Sequence, residues 1–157
     1  MTVSTLPTVR IEVQVEPLPV DPAKLRKVAE AVLRRFRLRR AAVTITIVDD
    51  QQMRKVHKQF LNKGSTTDVM SFDLTDEFEK IRTFEVVVNA QMAARQARKH
   101  KHSAEAELAL YITHGLLHQL GFDDVEPNRA MEMHKTEDAI LKKLGFGAIY
   151  YQNTMEN

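Results

Sequence analysis

The sequence contains no cysteine. Disulfides and thiolate-held metals are therefore excluded, and any metal ion must rest on His, Asp or Glu. No segment approaches the run of about 20 apolar residues needed to span a bilayer, so a membrane-embedded role is not expected. The opening residues, MTVSTLPTVRIEVQVEPLPV, lack a basic run followed by an apolar core. They do not resemble a secretion signal, and the cytoplasm is the expected compartment. Internal repeats and low-complexity tracts are also missing. So is a dominant charge: 23 basic residues against 21 acidic leave a formal net charge of +2. Whole-molecule electrostatics thus do not announce a nucleic-acid binder.

The charge is unevenly placed, however. Basic residues cluster in RRFRLRR (34 to 40) and RQARKHKH (95 to 102), while DLTDEFE (73 to 79) and residues 123 to 138 lean acidic. Basic clusters are able to meet phosphates, but each taken alone reads first as a solvated helix face.

With 157 residues the chain is long enough for one domain with a real core, running from about 9 to 144, and the tail from 146 to 157 is expected to fray. TVRIEVQVE (8 to 16) has the period-two alternation of a half-buried strand. Asp21 and Pro22 form a helix start, followed by Leu25, Val28, Ala29, Val32, Leu33 and Phe36 at helical spacing. A second strand is expected over 41 to 50, with Val43, Ile45 and Ile47 alternating against Thr44, Thr46 and Val48. A helix capped by Asp49 or Asp50 then runs to about Leu61, and NKGSTT (62 to 67) is a loop. Strands over 68 to 74 and 83 to 90 precede a helix from Gln91 to about Lys101. The next helix starts at Ser103 and is apolar on nearly every side, so it should be buried. Gly121 ends it, and Pro127 opens a last helix to about Leu144. The expected fold is α+β: a small mixed four-stranded sheet packed with about five helices.

The chemistry concentrates in HGLLHQLGFDD, residues 114 to 124. His114 and His118 are four residues apart, which on an α-helix means about 40° in azimuth and about 6 Å along the axis. Two imidazoles so placed can converge on one ion. The helix stop at Gly121 lets the chain turn so that Asp124 faces the pair. Two histidines, a carboxylate and an open fourth position form a known arrangement for catalytic zinc, which lowers the pKa of bound water towards about 7. Singly, each histidine reads as a hydrogen-bonded core residue, and Asp123 and Asp124 read as turn residues. Jointly, one shared ion removes the desolvation cost of both histidines. In an H-E-x-x-H protease helix the general base is a glutamate beside the first histidine. Here that position is Gly115.

On these residues the chain resembles the YbeY family of endoribonucleases. That family's helix motif, HGxLHLxGYDH, is matched at His114, Gly115, Leu117, His118, Gly121 and Asp123, with Phe122 in place of Tyr. A second signature, TDVLSF, appears as TDVMSF at 67 to 72. The resemblance implies a cytoplasmic, zinc-dependent nuclease of single-stranded RNA. It would act in ribosomal RNA processing, at the small-subunit RNA 3′ end, and in ribosome quality control, with the small subunit or assembly factors as partners. It makes His114 and His118 ligands of one zinc ion or another divalent metal and places both in the catalytic centre.

Two stretches depart from the family pattern. The third family ligand is a histidine, and here Asp124 takes its place as ligand and catalytic residue, adding negative charge to the site. His134, one helix further on, is expected to be a surface residue rather than a substitute ligand. Upstream, the family's LNxxYR aligns with VHKQFL (56 to 61), which puts His57 at the asparagine and Leu61 at the arginine expected to hold phosphate. Positive charge toward RNA is then expected from Lys58, Lys63 and Arg98. Two other readings stay open: a metal-dependent hydrolase of another substrate such as peptides, and a catalytically weak ribosome or RNA binding factor.

Overall fold

The first apolar alternation becomes strand β1, Thr8–Val13, in the computed structural model, which describes residues 6–18, 20–62 and 64–147. Asp21 accepts a hydrogen bond from the Ala23 amide at 2.9 Å and starts helix α1, Pro22–Arg35, which buries Leu25, Val28, Ala29, Val32 and Leu33. Strand β2 is Ala41–Val48. Asp49 then caps helix α2, Asp50–Leu61, through a reciprocal capping box with Gln52. Strands β3, Val69–Asp73, and β4, Arg82–Asn89, lead into helix α3, Ala90–His100, whose first amides are capped by Asn89. Helices α4, Ala104–Gln119, and α5, Pro127–Lys143, complete the described chain. The α+β expectation is met, with four strands and five helices among the described residues. The tail expected to fray lies, from residue 148 onward, outside the described residues.

The sheet order is β1-β2-β4-β3, with β1, β2 and β4 parallel and β3 antiparallel to β4. Val86, Val87 and Val88 are all buried because β4 is an interior strand covered on both faces. On one face Val43, Ile45, Ile47, Phe84, Val86 and Val88 pack with α1, α4 and α5. On the other, Val48, Met70 and Val87 pack with Met53 of α2. That second layer corrects the simple alternation expected of β2: Thr46 and Val48 are buried too, and Val48 packs against Met53 of α2 on the side that should have met water.

Helix α4 is the central element. Ser103 caps it by accepting from the Ala106 amide at 3.0 Å, and Leu108, Ile112, Leu116 and Leu117 are at most 1% exposed. Burying each such side chain stabilises the fold by about 1.5–3 kcal/mol. Gly115 faces the sheet at close quarters. A β-carbon there would stand 3.0 Å from Val86 Cγ1 and 3.1 Å from Val69 Cγ2. The missing side chain lets α4 lie against β3 and β4, and it fixes which side of the helix His114 and His118 occupy.

Candidate metal centre

One helical turn separates His114 from His118, and their rings stand at 85° with centroids 4.5 Å apart. The two Nε2 atoms are 3.0 Å apart, a distance at which facing lone pairs repel unless a proton or a cation lies between them. The helix stops immediately afterwards. The Phe122 amide donates back to the Leu117 carbonyl at 3.0 Å, and Gly121 takes a φ of 97°, where a side chain would be strained. The turn then separates two adjacent aspartates. Asp123 accepts from the Val125 amide at 2.9 Å and so braces the loop. Asp124 swings toward the histidines, with Oδ2 at 3.4 Å from His114 Nε2 and 3.6 Å from His118 Nε2.

These separations fit a shared ion. Atoms held tetrahedrally on one zinc at about 2.0–2.1 Å stand about 3.3–3.4 Å from one another. The observed edges of 3.0, 3.4 and 3.6 Å bracket that value. Among the described residues, His114, His118 and Asp124 form the group with this capacity. Two imidazoles and one carboxylate suit zinc or another borderline divalent ion. The three side chains are 22%, 34% and 35% exposed, so the group opens to solvent on one side.

The opposite side is closed by α5. His114 Nδ1 donates to Glu137 Oε2 at 2.5 Å, and His134 Nδ1 donates to Glu137 Oε1 at 2.8 Å. Glu137 is fully buried. Burial pushes its carboxyl pKa up, but the hydrogen bonds from His114 and His134 and their charges outweigh it, leaving the group below the usual glutamate value. For His114 burial again acts against the charged form. The hydrogen bond and charge of Glu137, with smaller help from Asp124 and Asp68, reverse it and raise the imidazole pKa above its ordinary value. His134, expected at the surface, has a side chain only 17% exposed.

The expected RNA-facing cations are less concentrated. Lys58 is exposed in the last turn of α2 and Arg98 is exposed on α3, neither on the elements that carry the metal trio. Lys63 lies outside the described residues. The basic run from 95 to 102 is partly committed inward. Arg95 grips both oxygens of Asp50 at 2.6 and 3.0 Å, His100 is buried, and His102 pairs with buried Glu107 at 2.6 Å. Arg98, Lys99 and Lys101 are its exposed cations. At the departures upstream, Leu61 is 54% exposed, and His57 is buried with Nδ1 at 2.8 Å from the Ser65 carbonyl, where it ties down the loop.

The model of the family described as endoribonuclease YbeY matches residues 10–145. The chain belongs to the YbeY family. It is 35% identical over 134 residues to the endoribonuclease YbeY of Thermobifida fusca, covering 79% of this chain and 86% of that protein. To the endoribonuclease YbeY of Aquifex aeolicus it is 33% identical over 137 residues, covering 86% and 91%. A solution structure of a Thermotoga maritima protein superposes with a TM-score of 0.61 at 22% identity, covering 87% of this chain and 88% of the other, a likeness of fold. Against the YbeY helix motif, Gly115 now has a structural cause. The space its side chain would enter is crowded by Val69 and Val86, so a glutamate base of the protease kind would have to displace them. Glu137 is the residue the motif does not reveal. Its signal in the sequence is a carboxylate on the buried stripe of Met133, Ile140 and Leu141, where helical spacing calls for an apolar residue.

Proposed function

We propose that the protein is a metal-dependent endoribonuclease that cleaves single-stranded RNA in ribosomal RNA processing. The assignment extends to small-subunit RNA 3′-end maturation and ribosome quality control, with zinc as the ion and the cytoplasm as the compartment. The observation that carries it is the convergence of His114 Nε2, His118 Nε2 and Asp124 Oδ2 at the open end of a rigid, buried helix, in a chain of the YbeY family.

The residues divide the work by position. His114 and His118 offer neutral nitrogen donors, and Asp124 contributes an anionic oxygen at the solvent-facing edge. A zinc ion held there supplies Lewis acidity toward a phosphodiester oxygen and activates water near neutral pH. Buried α4 keeps the histidines fixed, so little reorganisation is needed when charge develops on the phosphate. Exposed Lys58 and Arg98 supply salt-dependent attraction for the RNA backbone, with Lys63 proposed to join them. Small ribosomal subunits or their assembly factors are the proposed partners.

A second function, RNA binding with weak cleavage, is favoured by exposed Leu61 at the position where the family's arginine is expected. The two are separated by metal analysis of tag-free protein together with cleavage of single-stranded and duplex RNA by wild type and His114→Ala. Metal-dependent cleavage of the single strand, lost in His114→Ala, is expected. Metal-loaded wild type that binds RNA without cutting it would overturn the nuclease assignment.

A further inference from the structure

We infer that Glu137 is the positioning residue of the metal centre, holding His114 so that its Nε2 faces His118 and Asp124, while His134 clamps the other carboxylate oxygen. The inference deepens the proposed metal-dependent function and rests on it. Glu137 is borne by α5, an element outside the 114 to 124 motif, and its side chain has no exposure to solvent. A carboxylate is not left there by packing alone, since burying an ion costs far more than an apolar side chain unless it is paired and hydrogen-bonded. Both oxygens are engaged, each by one imidazole Nδ1, at 2.5 Å from His114 and 2.8 Å from His134.

The consequence for His114 follows from the chemistry of imidazole. A ring that donates from Nδ1 to a carboxylate keeps its lone pair on Nε2, and the donor bond also fixes the plane in which that lone pair points. His114 Nε2 is the atom that lies 3.0 Å from His118 Nε2 and 3.4 Å from Asp124 Oδ2. The same bond therefore selects the tautomer and aims it. His134 serves this arrangement from the side. Its ring lies within 11° of parallel to that of His114, with centroids 6.3 Å apart, and its bond to Oε1 prevents the carboxylate from rotating away. A histidine expected on the surface thus becomes part of the support of the site.

The test is Glu137→Gln, which preserves size but has one acceptor oxygen for two donors, so one imidazole loses its partner. Zinc affinity of the tag-free protein is measured by competition with a chromophoric chelator, and the His114 tautomer in metal-free protein by long-range proton–nitrogen NMR at a pH high enough to keep the ring neutral. Affinity about 10–100-fold weaker than wild type is expected, together with loss of the single Nδ1-protonated form of His114. Wild-type affinity and an unchanged tautomer in a folded variant would overturn the inference. His134→Ala, which leaves Glu137 in place, provides a second measure if Glu137→Gln does not fold: a several-fold weaker affinity supports the clamp, and unchanged affinity overturns it. A wild-type protein with no zinc affinity would instead overturn the metal-dependent function, and the positioning role with it.

Discussion

Gly115 and Val86 approach so closely that the valine Cγ1 would be 3.0 Å from a β-carbon on the glycine. Two opposing effects bear on Gly115→Ala. Alanine gains about 1 kcal/mol of helix propensity over glycine, whereas forcing a methyl against Val86 and Val69 costs about 1–3 kcal/mol. Because both valines come from the buried sheet face, the overpacking should win, with a net loss of about 1 kcal/mol in urea unfolding. A stability equal to or above wild type would mean that the valines yield easily. A valine at 115 adds branches to the clash and loses the propensity gain, so it should cost more than the alanine.

Arg95 and Asp50 form the second relationship open to test. The guanidinium, with help from Asn89 and Thr66 against the opposing effect of burial, holds the Asp50 carboxyl at about 2, below its ordinary 3.8. Between those values the unfolded chain binds more protons than the folded one, so stability rises with pH. The contribution is fully present above 3.8 and is lost as pH falls through about 2. Arg95 is 45% exposed, so water screens the pair, and Arg95→Ala should cost about 1 kcal/mol at pH 7. The cost should disappear near pH 2. Unfolding curves of both proteins at the two pH values check this, and a loss of equal size at both would show packing rather than charge.

What was legible in the sequence was local. Asp21, Asp49 and Ser103 mark their helix starts because capping is chemistry between residues two or three apart. His114, His118 and the stop at Gly121 are legible for the same reason, since one turn of helix fixes their spacing. The insertion of β4 between β2 and β3 is not, because pairing depends on contacts far apart in the chain. Nor are Glu137 and His57, whose roles exist only once α5 reaches α4 and the loop folds back over α2. The basic run misled in part. Its periodicity reads as one solvated face, but Arg95 and His102 each find a carboxylate supplied by another element.

Asn89 joins four segments at the end of β4. Its Oδ1 accepts from the Gln91 and Met92 amides, and its Nδ2 donates to Asp50 Oδ1 at 2.8 Å, Thr66 Oγ1 at 2.9 Å and the Thr67 carbonyl at 3.2 Å. The residue is fully buried, so truncation strands several polar groups at once. Asn89→Ala should lose about 2–4 kcal/mol and weaken hydrogen-exchange protection at 66 to 69. Asn89→Asp keeps the cap of α3 but turns donors into acceptors opposite Asp50, so it should be no milder. A loss below about 0.5 kcal/mol in either variant would show that water replaces these bonds without cost.

Asp124 is the departure that most directly tunes the proposed site. With Oδ2 at 3.4 and 3.6 Å from the two histidine nitrogens, it should act as the third ligand, and Asp124→Ala should weaken zinc affinity by about tenfold or more. Equal affinity in that variant would remove Asp124 from the ligand set. Asp124→His makes a different demand. A neutral imidazole in place of the carboxylate leaves more of the ion's positive charge to act on what it holds, so the ionisation that governs activity should move to lower pH. The pH at which kcat/KM on single-stranded RNA reaches half its plateau should fall by about 1 unit. Asp124→His that binds zinc and cuts RNA with an unshifted profile would show that the carboxylate's charge does not set the working pH, leaving Asp124 only a geometric role.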